Sequence, residues 1–227
     1  TEANVTELQK ISLFPLGLVL LPDMLLPLHI FEERYKQMIA DCLAGDMSFG
    51  IVLFDGQSIR TAGCMARINQ VVKRYGDGRM DILVQGGKRF VIQELIEDRV
   101  YMEARALFFD DEEEAADDRL EGVVNNALNL LKEMVDIDIG VDPLTPGGQI
   151  NPKGLAFTIA AQEGFAPVER QGLLEMTSTS ERLKKCVQAL SRIVLRNRLT
   201  GEIQKVIGGN GNPPKSIIRS LEVQLKE

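Results

Sequence analysis

Residues Leu13–Leu28 read LFPLGLVLLPDMLLPL, an apolar run broken by Pro15, Pro22 and Pro27, with Gly17 and Asp23 among them. A membrane-spanning helix needs about 20 apolar residues without such interruption. Each internal proline removes an amide donor and clashes with the preceding turn, at roughly 3 kcal/mol, and lipid offers the freed backbone groups no replacement. The flanks TEANVTELQK and HIFEERYKQ supply neither the basic leader nor the small-residue cleavage site of a secretory signal. The run is therefore folded core made of short extended pieces, since proline also holds its predecessor extended. Ile11–Phe14 and Leu18–Leu21 are expected as buried strands, Pro22–Met24 as a turn and Leu25–Leu28 as a further extended piece. Helical spacing of Phe31, Tyr35, Met38, Ile39 and Cys42 then predicts a short helix over Phe31–Leu43.

The remaining composition narrows the function classes. With 227 residues, 44% hydrophobic and 26% charged, the chain is long enough for a substantial core and has a globular profile. A net charge of −7 disfavours a general affinity for nucleic-acid phosphates. The absence of Trp and an aromatic content of 5% supply few base-stacking platforms. Cys42, Cys64 and Cys186 are scattered without a CxxC spacing, the pattern of reduced thiols in a cytoplasmic protein. His29 is the sole histidine, which leaves a zinc site short of ligands and removes most options for acid–base catalysis. No cofactor or metal is expected.

From Ser48 to Phe109 the pattern is β. Gly76-Asp77-Gly78 marks a hairpin between CMARINQVVKRY and RMDILVQGGKRFVIQELI, because such turns require positive φ. Gly86–Gly87 suggests a bulge or sharp bend of the kind that closes a barrel. Several short strands without an intervening long helix predict an antiparallel barrel. The acidic run Asp110–Asp118 reads as a solvated connection whose last acids favour the start of the next helix. Beyond it the period is helical through Val135, over Lys153–Gln162 and Pro167–Met176, and again after a Ser178-x-x-Glu181 capping box. The break GVDPLTPGGQINP could carry a binding loop or serve as a connector. Gly209–Ser216 approaches the phosphate-loop pattern, but Pro214 stands where the second glycine is needed, so it reads as a linker before an amphipathic SIIRSLEVQLKE. The expected divisions are a strand-rich lobe over 1–116 with one short helix, a helical lobe over 117–206, and a linker with a short helix over 207–227.

These motifs, in this order, resemble the Lon protease N-terminal (LON substrate-binding) domain, in particular its stand-alone bacterial members. The proline-punctuated opening leads into His29–Glu32, matching the family's His-Ile-Phe-Glu-like turn into the first helix. Gly86, Arg89 and Phe90 match its Gly-x-x-Arg-Phe strand, and Gln171, Leu174, Glu175, Arg182 and Leu183 match its helical half. The similarity runs from about Ile11 to Leu199. It implies an α+β fold: a PUA-like antiparallel β-barrel lobe followed by a C-terminal helical-bundle lobe. It also implies recognition of unfolded or degron-bearing polypeptides, with a protease or ATPase supplied in trans. Neither the Walker motif nor the Gly-Pro-Ser-Ala-Gly-like run of full-length Lon occurs in these residues.

The expectation is a non-catalytic polypeptide-binding module of adaptor or chaperone-like character. Leu21, Met24, Leu25 and Leu26 are the candidate contact residues, since a proline-fixed loop can hold apolar side chains outward at little entropic loss; the opposing reading places them in the core. His29 is expected to make a structural hydrogen bond near the helix start, Glu32 and Glu33 to cap that helix, and Arg89 to pair with an acid and lock the barrel. A hydrolase and an RNA-binding PUA-like module are the alternatives from other classes.

Overall fold

A computed structural model describes residues 7–114, 118–134 and 150–208. The expected phosphate-loop-like linker and C-terminal helix, and most of GVDPLTPGGQINP, lie outside these residues. Six strands come first, β1 (Gln9–Leu16), β2 (Leu25–Ile30), β3 (Ser48–Phe54), β4 (Ile59–Arg74), β5 (Met80–Ile96) and β6 (Glu103–Phe109), with α1 (Glu33–Ala44) between β2 and β3. Helices α2 (Asp118–Met134), α3 (Pro152–Ala160), α4 (Pro167–Glu175) and α5 (Thr179–Gly208) follow.

The pairings of β1, β3, β4, β5 and β6 return to their start, because β6 bonds to both β5 and β1. β2 lies outside this circuit and, among the described residues, pairs with β5 alone. The sheet is mixed rather than antiparallel throughout: β1 and β3 run parallel, Leu13 opposite Gly50. β2 and α1 intervene between them and give the chain the length needed to return in the same direction. Leu18–Leu21 departs from expectation too. Val19, Leu20 and Leu21 are buried and Leu18 half-buried, but as irregular chain whose backbone is tied elsewhere: Met24 N–H donates to the Leu21 carbonyl (3.1 Å), closing the turn at Pro22–Asp23.

That turn is seated on β5 at Gly86. Asp23 N–H donates to the Gly86 carbonyl (3.0 Å) and Gly86 N–H to the Met24 carbonyl (2.9 Å). A methyl group on Gly86 would sit 1.9 Å from the Leu21 carbonyl oxygen, so only glycine fits. The register against β4 shifts here, with Cys64 opposite Arg89 and Ala66 opposite Gly86. At this bulge β5 also exchanges neighbours, pairing with β2 through Gln85 and with β6 from Arg89.

One apolar cluster runs from Phe14, Leu21, Phe49 and Val84 through Tyr35 and Met38 of α1 into Leu131, Leu155, Phe157, Leu183 and Leu190 of the helices. A second, of Ile11, Leu13, Val52, Phe90, Ala104 and Ala106, fills the strands of the circuit. Between strands and helices lies a buried ionic junction. Arg89 and Arg182 are 2% and 0% exposed, and a guanidinium cannot shed its charge to ease burial. Arg182 donates to both oxygens of Asp111 (2.7 and 2.6 Å) and Arg89 donates to the same carboxylate. Arg89 also donates to the carbonyls of Leu174 (2.9 Å) and Met176 (2.5 Å), and Arg182 to that of Leu173 (3.0 Å). The Phe157 ring lies under both cations, 5.5 Å from Arg89 and 4.3 Å from Arg182.

Arg89 thus has the expected acidic partner, but the pair joins the strands to the helices rather than locking the strands alone. The acidic run is correspondingly not all solvated. Asp111 is buried (side chain 7% exposed), while its neighbour Asp110 stays exposed and pairs with Lys153. Glu114 accepts from Ser180 N–H (3.1 Å), satisfying an amide at the start of α5, and Ser178 Oγ accepts from Glu181 N–H (3.1 Å). The reciprocal half of the capping box gives way to a pair between Glu181 and Lys184. Burial by itself would raise the Asp111 carboxyl. Hydrogen bonds from Arg182 and Thr179 and the two guanidinium charges outweigh it and hold the pKa at about 2.

Two outcomes follow from these contacts. Gly86→Ala forces the Leu21 carbonyl aside and should lower stability by about 1–3 kcal/mol, whereas Gly87→Ala, whose added methyl would meet nothing nearer than 3.6 Å, should be nearly neutral. Equal urea midpoints for the two variants would refute the docking argument. Asp111→Ala leaves two buried cations without their shared anion and should cost about 3–5 kcal/mol at neutral pH. Because the folded pKa lies below the unfolded value, the wild type holds this contribution above about pH 4 and loses it as pH falls toward about 2. Denaturation of Asp111→Ala should accordingly be flatter over that window, and a parallel pH profile would count against the junction.

Candidate polypeptide-binding surface

The four candidate residues do not share one environment. Leu21 is fully buried and Leu26 is 9% exposed, both within the main apolar cluster. Met24 is half-buried and packs against that cluster, whereas Leu25 is 48% exposed. The division follows from strand alternation, since side chains along β2 point to opposite faces. Leu26 and Ile30 face inward, and Leu25, Pro27 and His29 face out. Leu21 and Leu26 therefore build the floor beneath the surface rather than the surface itself.

The outward row continues beyond β2. Phe31 was expected on the apolar stripe of the first helix, but α1 begins only at Glu33, so Phe31 stands free of it at 59% exposure. Beside the row, β5 presents Leu83 opposite Pro27 and Asp81 opposite His29. Leu25, Pro27, Leu83 and Phe31 give this face an apolar line, edged by Gln85 and Asn69, whose amide groups hydrogen-bond at 3.2 Å. Farther along β4, where the register against β5 shifts again between Val71 and Lys73, Val72 is 60% exposed as well.

His29 is fixed at the end of the row. Its Nδ1 lies 2.6 Å from Asp81 Oδ1, and Tyr75 donates its hydroxyl to Asp81 Oδ2 at 2.8 Å. The imidazole stacks on Phe31 (centroids 6.0 Å, 22° between planes) and meets Tyr75 edge-on at 5.8 Å. The hydrogen bond from His29, with that from Tyr75, holds the Asp81 carboxyl below its ordinary range. The expected structural bond of His29 is thus made to β5, 52 residues away, and not within the helix start. Glu32 occupies the N-cap position of α1 without a side-chain cap bond, pairing with Arg34 instead, and Glu33 pairs with Lys36.

The free edge of β2 is a poor template for another strand. Antiparallel ladders alternate their bonded pairs in steps of two. The Gly86-to-Met24 bond therefore turns the amides of Leu26, Leu28 and Ile30 toward β5. The other side presents Leu25, Pro27 and His29, and Pro27 has no N–H to donate. The face of β2, not its edge, is what this region offers. Burial raises the thiols of Cys42 to about 11 and of Cys64 and Cys186 to about 12, keeping all three protonated at neutral pH. Among the described residues no group of His, Cys, Asp and Glu is arranged to hold a metal ion.

Comparison with known proteins agrees with this architecture. The family model described as the ATP-dependent protease La (LON) substrate-binding domain matches residues 10–192. Lon protease of Dictyoglomus thermophilum is 26% identical over 206 residues, covering 83% of this chain and 25% of that protein. Lon protease 2 of Myxococcus xanthus is 25% identical over 217 residues, covering 88% of this chain and 26% of that protein. The chain thus spans about a quarter of the length of these curated relatives. Among solved structures, a Lon N-terminal domain protein from Xanthomonas campestris superposes with a TM-score of 0.63 at 21% identity, over 79% of this chain and 98% of that one. The N-terminal domain of Lon protease from Mycobacterium avium complex gives 0.63 at 20% identity, over 81% and 98%. With 183 consecutive positions (10–192) matched by the family model and the same fold in both structures, this chain belongs to the LON substrate-binding domain family.

Proposed function

We propose that the protein is a non-catalytic module that binds unfolded or degron-bearing polypeptides through the outward face of β2, acting as an adaptor or chaperone-like element in the cytoplasm. The observation that carries this reading is the exposed apolar row of Leu25 and Pro27, continued by Phe31 just beyond the strand end, on a strand whose inward residues Leu26 and Ile30 are firmly packed. Membership of the substrate-binding family supports polypeptide as the ligand class. Met24 and Leu25 are the contact residues from the original set, and Phe31 joins them. Met24 brings a flexible thioether suited to varied clients, and Phe31 a large flat anchor. We read the closed circuit of strands as the PUA-like barrel and the later helices as the second lobe, divided near residues 116–117.

Such a surface binds weakly and broadly. Completing the burial of one half-exposed leucine is worth about 1 kcal/mol, so a few such anchors, about 3–4 kcal/mol together, give affinities around the millimolar range. Specificity and turnover would come from a protease or ATPase acting in trans.

Leu25→Asp and Phe31→Ser should each weaken binding of a reduced, carboxymethylated model protein by about tenfold in fluorescence anisotropy, equivalent to about 1.4 kcal/mol. Their thermal midpoints should stay at the wild-type value because both positions are exposed. Leu26→Asp should instead lower the midpoint by placing a charge in the core. Undiminished client binding by the double variant, or cleavage of the client by the pure protein, would refute the reading.

A further inference from the structure

The helices carry a second surface that the client-binding reading does not use. Between α4 and α5 runs an open groove of ≈ 810 Å³, with Phe165, Val168, Gly172, Leu173, Val187 and Ala189 among its lining residues. A smaller hollow of ≈ 260 Å³ shares Glu169, Ala189 and Arg192 with it and extends the groove to Ile193 and Arg196. Val168 is 64% exposed, a large apolar exposure for a helical position. Gly172 faces open space, with no atom within 4 Å of where its Cβ would stand. Along α5 the lining extends from Lys185 to Arg196, about 18 Å by the rise of a helix. That is the footprint of a three-turn helix, and two helical walls with an apolar floor offer it ridges to pack between.

The rim decides what such a helix must carry. Lys185, Arg192 and Arg196 line the groove against one acid, Glu169, which Arg192 already engages at 3.1 Å. This local excess of positive charge stands out in a chain of net charge −7. We propose that the α4–α5 groove docks an amphipathic helix of a partner protein whose apolar stripe lies on Leu173 and Ala189 and whose flanks are acidic. Val168 and Val187 close over the stripe, and Lys185, Arg192 and Arg196 meet the carboxylates. The occupant is preformed or readily formed helix. It is chemically distinct from the extended clients assigned to β2, and the groove would tether the module to its working partner.

The test uses the intact protein and a fluorescein-labelled synthetic peptide of about 15 residues, long enough for a marginal helix, with Leu at i, i+3, i+4 and i+7 and Glu on both flanks. A second peptide replaces each Glu by Lys. The acidic peptide should bind, weaken as salt is raised, and exceed the basic one by at least about tenfold in affinity. Gly172→Gln fills the groove and Val168→Asp charges its wall, and each should reduce affinity by about tenfold or more. Gly172→Gln also removes a glycine from a helix interior into open space, so its thermal midpoint should match or exceed the wild type. That readout separates a lost site from a lost fold. Both variants should bind denatured client normally, and Leu25→Asp should bind the acidic peptide normally, so the two surfaces fail separately. Equal affinity for the two peptides, no binding, or full affinity in Gly172→Gln would overturn the proposal. So would a wild-type dimer that Gly172→Gln dissolves, because the occupant would then be a second copy of this chain.

Discussion

The buried ionic contacts that join strand to helix converge on one carboxylate. Asp111 receives Arg89 from β5 and Arg182 from α5, and among the described residues the only other carboxylate near the pair is the exposed Asp110, 3.5 Å from Arg89. The surplus positive charge is met by dipoles: the carbonyls of Leu173, Leu174 and Met176 at the end of α4, and the face of Phe157 from α3. These acceptors are available because α4 ends there and its last carbonyls have no helical partners. The helix terminus and the cations thus satisfy each other, and neither could be buried alone without a penalty of several kcal/mol. The junction also has consequences for the groove, since Leu173, which lines it, is held through its own carbonyl by Arg182.

Much of this could be read from the sequence, and the failures have a common cause. The prolines, the Gly76–Gly78 hairpin and the Gly86–Gly87 bulge are local signals, and each specified local structure correctly. Asp111 was invisible among consecutive acids, because what buries it lies 22 and 71 residues away and leaves no mark on the run itself. Leu18–Leu21 was misread as strand because an apolar stretch announces burial but not conformation. Its backbone is satisfied by a turn and a docking site on Gly86 rather than by a ladder. The parallel pairing of β1 with β3 is likewise a property of where the chain returns, which no periodicity records.

The surface on β2 was half legible. Alternation of Leu25, Pro27 and His29 against Leu26, Leu28 and Ile30 is present in the letters and sorts outward from inward residues once the segment is taken as a strand. Phe31 was absorbed into a helical stripe that begins two residues too early, a boundary error that concealed the most exposed aromatic of the row. Asp81 could be placed on an outward face by the hairpin pattern, but its pairing with His29 depends on β2 lying against β5, which is tertiary information.

The exchange of neighbours along β5 separates two tasks within a single strand. The half after Gly86 closes the circuit with β6 and carries Arg89, so its register is pinned from both sides and from the helices. The half before it holds β2, a strand joined on one side only among the described residues. Substitutions on the outer face of β2 therefore trouble neither the circuit nor the junction. A lineage could recompose Leu25, Pro27 and Phe31 to suit new ligands while inheriting the frame unchanged, which makes β2 the part of this fold most free to diverge.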